Sequence, residues 1–356
     1  MKKTTLLSFF VASQMALSPQ LLMAQEHDSQ LLGNDFRISY DSEINTNYSN
    51  GGEEGDVVNL EGSYVSLSVE WKNKIRGVVK TKLEQIFQDN RVEFNEDFSL
   101  SEFIKEAYIE IREINGSPMA IIIGKQPMAF GQNVQAMPLF KNNPLAEMQD
   151  IDEVFGVTVD LSEGLFGLFD QAEISAFETD DGNFKIGDID GVSGRLSVML
   201  TDQVLLTLSH AELGNGHLDS GHERRTSVGL IGESTDGVLV GWVEGLYFSN
   251  NPEYPNADFG ITTGAMMRVH ETTDVIVEYS YIRKELQDYG IGVRTNLTQN
   301  VSVGAEVRYQ NYVESNRDSD IVFGINLTYR FGSTPYSKND TYLFGENNEE
   351  DPYGNY

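Results

Sequence analysis

Between Asp35 and Phe331 the chain repeats one pattern: a run of about ten residues in which apolar and polar side chains alternate, then a turn. Alternation sends successive side chains to opposite faces, so each run reads as a strand with one apolar and one polar face. The runs are 35–48, 56–72, 74–87, 103–114, 119–126, 153–161, 166–178, 188–200, 203–213, 224–234, 237–248, 258–270, 274–284, 288–297, 300–312 and 319–331. About sixteen two-faced strands and no helical pattern suit a closed antiparallel barrel, apolar outside and polar inside, of the size that encloses water. A soluble sandwich also alternates. It does not explain the small residues that recur on the polar faces, such as Gly260, Gly264, Gly290, Gly292, Gly304 and Gly324.

The connections alternate in length. Asn73, 115–117, 162–165, 201–202, 235–236, 271–273 and 298–299 are tight, whereas 49–55, 88–102, 127–152, 179–187, 214–223, 249–257 and 313–318 are long, with 285–287 the short exception. Short turns at one end and long loops at the other are the pattern of barrels in outer membranes, and an even strand number then puts both termini in the periplasm.

The N-terminus agrees. Met1-Lys2-Lys3 is basic, residues 6–22 are mostly apolar, and Leu22-Met23-Ala24 ends in a small residue, so residues 1–24 read as a signal peptide. The expected organisation is that leader, a short periplasmic segment over 25–34, a transmembrane barrel over 35–331, and an acidic flexible tail over 332–356. No later stretch approaches the ~20 continuous apolar residues of a spanning helix. The formal net charge of -30 argues against nucleic acid as a partner, and a chain without cysteine has no disulfide and no thiolate metal site.

Several polar faces carry cations: Arg37, Arg76, Lys80, Lys82, Arg112, Lys125, Arg195, Arg268, Arg294, Arg308 and Arg330. A cation at midplane depth in lipid costs about 2–4 kcal/mol, so these point inward. Once the barrel closes, Arg37, Arg76, Lys80, Lys82, Arg112, Lys125, Arg294, Arg308 and Arg330 form one pore-lining basic wall, partly neutralised by Glu70, Glu106, Glu110, Glu278 and Glu306.

The longest break, 127–152, has the opposite sign. Glu147, Asp150, Asp152 and Glu153 gather at its end, while Val134, Met137, Leu139, Phe140, Leu145 and Met148 suit water poorly. This third long loop is expected to fold inward and narrow the passage, its acids facing the wall of Arg37, Arg76, Lys80 and Arg112.

Glu106-Ala107-Tyr108, the turn, and the run from Gly124-Lys125-Gln126 to Phe130-Gly131 resemble the Gly-[Arg/Lys]-Gln-x-x-x-Phe-Gly region of Gram-negative outer-membrane porins. The nearest group is the siderophore porin family, with a more distant resemblance to phosphate-selective porins. The run Gly324 to Phe331 is similar to the terminal strand read by the barrel-assembly machinery. The resemblance implies a sixteen-stranded porin in the cell outer membrane, no enzyme and without cofactor. It passes small hydrophilic solutes, iron-siderophores among them, and stands in lipid and lipopolysaccharide as a monomer or homotrimer. The acidic loop departs from the phosphate-selective pattern, which is basic there. A structural or adhesin-type barrel with a closed lumen is the alternative.

Other chemistry is thin. His217, Asp219 and His222 in one long loop have ligand types that suit a transition metal, and Asp180, Asp181, Asp188 and Asp190 carry oxygen donors without the spacing of a calcium-binding loop. Polar loops account for both. No serine has a placed histidine partner.

Overall fold

The computed structural model describes residues 35–50, 57–60, 62–83, 103–132, 143, 145, 148, 151, 154–162, 169–179, 189–214, 222–251, 254–313 and 318–332. The strands are β1 (Phe36–Asn50), β2 (Val57–Asn59), β3 (Tyr64–Trp71), β4 (Ile75–Lys82), β5 (Ile104–Ile111), β6 (Met119–Gln126), β7 (Val154–Ser162), β8 (Gln171–Glu178) and β9 (Gly191–Thr201). They continue as β10 (Val204–Leu213), β11 (Glu223–Glu233), β12 (Leu239–Ser249), β13 (Phe259–His270), β14 (Thr273–Ile282), β15 (Leu286–Asn296), β16 (Val301–Tyr312) and β17 (Asp320–Gly332).

From β3 onward every strand pairs antiparallel with the next, and β17 pairs back onto β1 from Asp41↔Gly332 to Asn50↔Phe323. The sheet is therefore a closed barrel. Both β2 and β3 pair with β1. They are one stave interrupted near Gly62, which takes φ 77°, so seventeen segments make sixteen staves.

Alternation sorts the faces as expected. On β17, Ile321, Phe323 and Ile325 are exposed while Val322, Asn326 and Thr328 are buried. On β12, Leu239, Val243 and Tyr247 are exposed, and Val240, Trp242, Glu244, Leu246 and Phe248 are buried. An isolated barrel that exposes isoleucine at 67% (Ile174) and 63% (Ile321) along its outer face carries an apolar exterior of the kind lipid covers. Aromatic side chains gather at both ends. Tyr279, Tyr289 and Tyr309 form one row with centroids 4.9 and 6.3 Å apart. Phe36–Trp71 and Tyr329–Phe331 stand at the short-turn end.

Two turns are set by left-handed residues. The 113–118 turn takes its positive φ at Glu113 (φ 52°) and Gly116 (φ 77°), around a 3-10 turn over Ile114–Gly116. The sequence break at 285–287 is instead a turn centred on Lys284 (φ 67°), because Leu286 and Gln287 already pair as the start of β15.

Candidate pore lining

The inward faces of β3 to β5 carry Tyr64, Ser66, Ser68, Glu70, Arg76, Val78, Lys80, Glu106, Tyr108, Glu110 and Arg112 in successive ladder rows. Cations and carboxylates interleave here because adjacent strands place them directly opposite: Arg76 stands across from both Glu70 and Glu110, and Lys80 across from Glu106. Arg112 donates Nε to Glu110 at 2.7 Å and lies 3.6 Å from Glu70. Lys80 donates to Glu106 at 3.0 Å, and its Nζ sits 4.3 Å from the Tyr64 ring centroid. The Tyr64 hydroxyl donates to Asp41 at 2.7 Å.

The wall continues through the closing strands. Arg330 pairs with Glu43 at 2.5 Å across β17 and β1. Arg294 and Arg268 share Asp274, at 3.2 and 3.3 Å. Arg308 is 1% exposed and surrounded by Glu278 (3.1 Å), Asp288 (3.2 Å) and Glu306 (3.8 Å). Arg37 stands across the ladder from Glu70, and Lys82 across from Tyr64. Among the described residues Lys80, Arg112, Arg294, Arg308 and Arg330 stand in ion pairs with carboxylates, and around Arg308 the acids outnumber the cation. Charges of both signs thus share this face.

Lys125 sits differently. Its ladder row is Ala107–Lys125–Phe155, the outward parity of Ile109 and Ile123. Its side chain is nevertheless buried, and Nζ donates to the Ile104 carbonyl at 2.7 Å. Beside it Gly124 takes φ 136°, with Ala107 O only 2.3 Å from where a Cβ would stand. The ammonium is thus held by the carbonyl of the first residue of β5.

Beyond β6, Met128 N donates to Ile151 O at 2.8 Å, joining the two ends of the long break. Gly131 N donates to Ser209 Oγ at 3.0 Å, and Gln132 N to the Glu244 carboxylate at 3.2 and 3.3 Å. Asn143 Nδ2 donates to Thr262 Oγ1 at 3.1 Å, and Arg225 donates to Met148 O. These partners lie on inward positions of β10 to β13. Leu145 and Met148 are 0% and 2% exposed and join Met128, Phe130, Ile151, Leu246, Phe248 and Ile282 in one apolar cluster. A second cluster, Ile231, Val240, Trp242, Met266 and Ile276, covers the same side toward the short turns. Glu147, Asp150, Asp152 and Glu153 lie outside the described residues.

Sequence reasoning missed Ser209, Ser227, Glu244, Thr262 and the hollow at Gly229 as groups that meet the long segment, and placed Gly260 on the polar face without its contact to Leu145. Their one legible signal was Glu244, a lone carboxylate on the inward parity of a strand otherwise rich in apolar residues.

Of the metal candidates, His217 and Asp219 lie outside the described residues and His222 is exposed. The Asp190 carboxylate accepts from Thr179 N (2.8 Å) and Thr179 Oγ1 (2.6 Å), which commits it to capping the loop. Asp180, Asp181 and Asp188 lie outside the described residues, and no group of three or more ligand-type side chains is poised for a metal among those described.

No protein-family model and no curated protein matches the sequence. Solved structures do. The outer membrane channel DcaP of Acinetobacter baumannii superposes with TM-score 0.60 at 11% identity, over 85% of this chain and 99% of that one. A loop L8 deletion mutant of OmpT, an outer membrane protein of Vibrio cholerae, gives 0.59 at 12% identity over 84% and 100%. Salmonella typhi OmpF, solved with daunomycin, gives 0.55 at 12% over 84% and 98%. At these identities the likeness is one of fold.

Proposed function

We propose that the chain is an outer-membrane channel through which small hydrophilic solutes diffuse. The carrying observation is the division of the lumen. One side, β10 to β14, is covered by apolar clusters and by the fastened residues of 128–151, whereas the side from β17 through β1 to β5 keeps its polar, ion-paired face. On our reading the passage runs along that second face, and the third long loop narrows it. The long loops face outside and both termini the periplasm. The titratable groups are spent on one another as wall charges, which suits a passage better than a catalyst.

The family resemblance carries iron-siderophores as the specific solute; siderophore uptake by a deletion strain, with and without complementation by this chain, tests that, and complementation that leaves siderophore uptake unchanged is the contrary result. OmpT of Vibrio cholerae has a trimer form, and we extend the homotrimer to this chain alongside the monomer. The reading of a structural or adhesin-type barrel draws on the same apolar filling, which would close the lumen were it to extend to the ion-paired face. Planar-bilayer recording separates the two: discrete conductance steps are expected, raised on deleting 134–148. A folded protein that never conducts favours the closed barrel.

A further inference from the structure

At the short-turn end of the lumen, the hairpin of β15 and β16 and the end of β17 enclose a small recess. It is flanked by Arg294 and Arg330, with Asn296, Thr298, Asn300 and Ser302 completing the lining used here. Arg294 and Asn296 lie in the ladder rows of Gly304 and Ser302, the inward parity of β16. Ser302 lies in the row of Thr328, which shares the inward parity of Arg330. The tight turn holds this arrangement. Arg330 N donates to Asn300 O and Asn300 Nδ2 donates to Arg330 O, both at 2.8 Å. Thr298 Oγ1 accepts from Asn300 N and Val301 N, both at 3.1 Å. The backbone that carries Arg330 is thereby tied to the turn.

Among the described residues, the lining of this recess holds two guanidinium groups, amides and hydroxyls, and no carboxylate. The acids stand behind it: Glu43 pairs with Arg330, and Asp274 is shared by Arg294 and Arg268. These pairs fix where the two guanidinium groups sit. The Arg294 side chain is 24% and that of Arg330 46% exposed, so both reach the water of the recess. A guanidinium carries five N–H donors in a planar fork, which matches the oxygens of a carboxylate or a phosphate. Farther up the same strands, around Arg308, carboxylates crowd the wall instead.

We infer that this recess binds an oxyanion, the carboxylate or phosphate group of a small solute, between the Arg294 and Arg330 guanidinium groups, with the Asn296 amide and the Ser302 hydroxyl as further donors. The binding stands apart from the channel reading. Only its consequence rests on that reading: an anion is collected where the passage opens at the short-turn end.

Inorganic phosphate is the probe, and its phosphorus-NMR line width is titrated against the folded full-length protein in detergent at low salt. Saturable broadening is expected, and high salt should reduce it. Arg294→Gln and Arg330→Gln should each weaken binding ~10-fold, the scale of one charge-assisted hydrogen bond. Arg330→Lys keeps the charge without the fork and should fall between Arg330→Gln and the parent. These variants leave neither acid alone: Asp274 keeps Arg268, and Glu43 keeps the Asn45 Nδ2 donor at 2.8 Å. Lys74→Gln removes the same charge from an exposed turn at the same end, and should bind as the parent does. A folded parent that gives no saturable broadening overturns the site, and so does equal binding in all three glutamine variants, which would mean diffuse charge. Should one arginine variant not fold, the other decides against Lys74→Gln. In bilayers, phosphate added on the short-turn side should lower the chloride current of the parent and spare that of Arg294→Gln. Phosphate binding in a protein that never conducts would keep the site and remove the channel reading; conductance without phosphate binding would do the reverse.

Discussion

At the residue scale, the inner wall has little spare volume and little spare charge. Gly264 shows the first: a Cβ there would stand 2.1 Å from Trp242 Cζ2. Gly264→Ala should therefore destabilise the barrel by about 1–3 kcal/mol, read as a lower temperature at which the SDS-resistant form is lost. Trp242→Phe removes that part of the ring and should restore part of the loss, the 2.7 Å approach to the Val277 carbonyl remaining. It also removes an indole N–H that is buried without a partner. Arg308 shows the second. Arg308→Met leaves Glu278, Asp288 and Glu306 together in a buried site, and removing one partner of a buried pair costs about 3–5 kcal/mol. Adding Glu278→Gln and Glu306→Gln should recover assembly if charge is the cause; continued failure to fold would point to packing. Facing is tested at two neighbours. Ile325→Arg, outward, should impair assembly by about 2–4 kcal/mol, whereas Asn326→Arg, inward, should assemble and alter conductance. Equal tolerance would mean the faces are exchanged.

At the element scale, the tight turns decide registers that strands alone leave open. Lys72 and Asn73 both hold positive φ, 53° and 56°, the geometry in which Asn-Gly is preferred. The double change Lys72→Asn, Asn73→Gly should raise the temperature at which the barrel unfolds, and a lower temperature would show that the Lys72 contacts with Asp35 and Trp71 matter more than the turn. Strand existence was legible because burial on one face only enforces period two: 119–126 reads identically in sequence and structure. What was not legible has physical reasons. The run 56–72 alternates straight through Gly62, whose backbone breaks the stave. Lys125 carries the parity of its strand's outward row, yet burial beside Gly124 turns it to a carbonyl. The alternation of cations along the polar strand faces was legible; their pairing was not, since strand register across turns decides which carboxylate meets which cation. The receiving site for the long loop joins residues over a hundred positions apart, |i−j| 112 for Gln132 and Glu244, and local pattern carries no trace of such a meeting.

At the scale of the whole molecule, an amphoteric wall predicts modest selectivity that follows the balance of charge. Neutralising Arg76 and Lys80 should shift the reversal potential toward cations, and neutralising Glu147, Asp150 and Asp152 should shift it toward anions. Both shifts should shrink at 1 M salt, where the Debye length is ~3 Å. Shifts that survive high salt would place the charges away from water. The join between β1 and β17 has a temporal meaning as well. Its inner side is a polar ladder: Asn326 to Asn47 at 2.6 Å, Thr328 to Asn45 at 2.6 Å, and Arg330 to Glu43 at 2.5 Å. These partners are separated by 279, 283 and 287 positions. Among the described residues no other strand pairing spans so much chain, and contacts of such high order form only after the entropy of closing that span has been surrendered. The cylinder is therefore a ribbon until its final step. That step is checked by amides and hydroxyls that match in a single alignment, because a slip of one residue would turn the whole ladder toward the lipid.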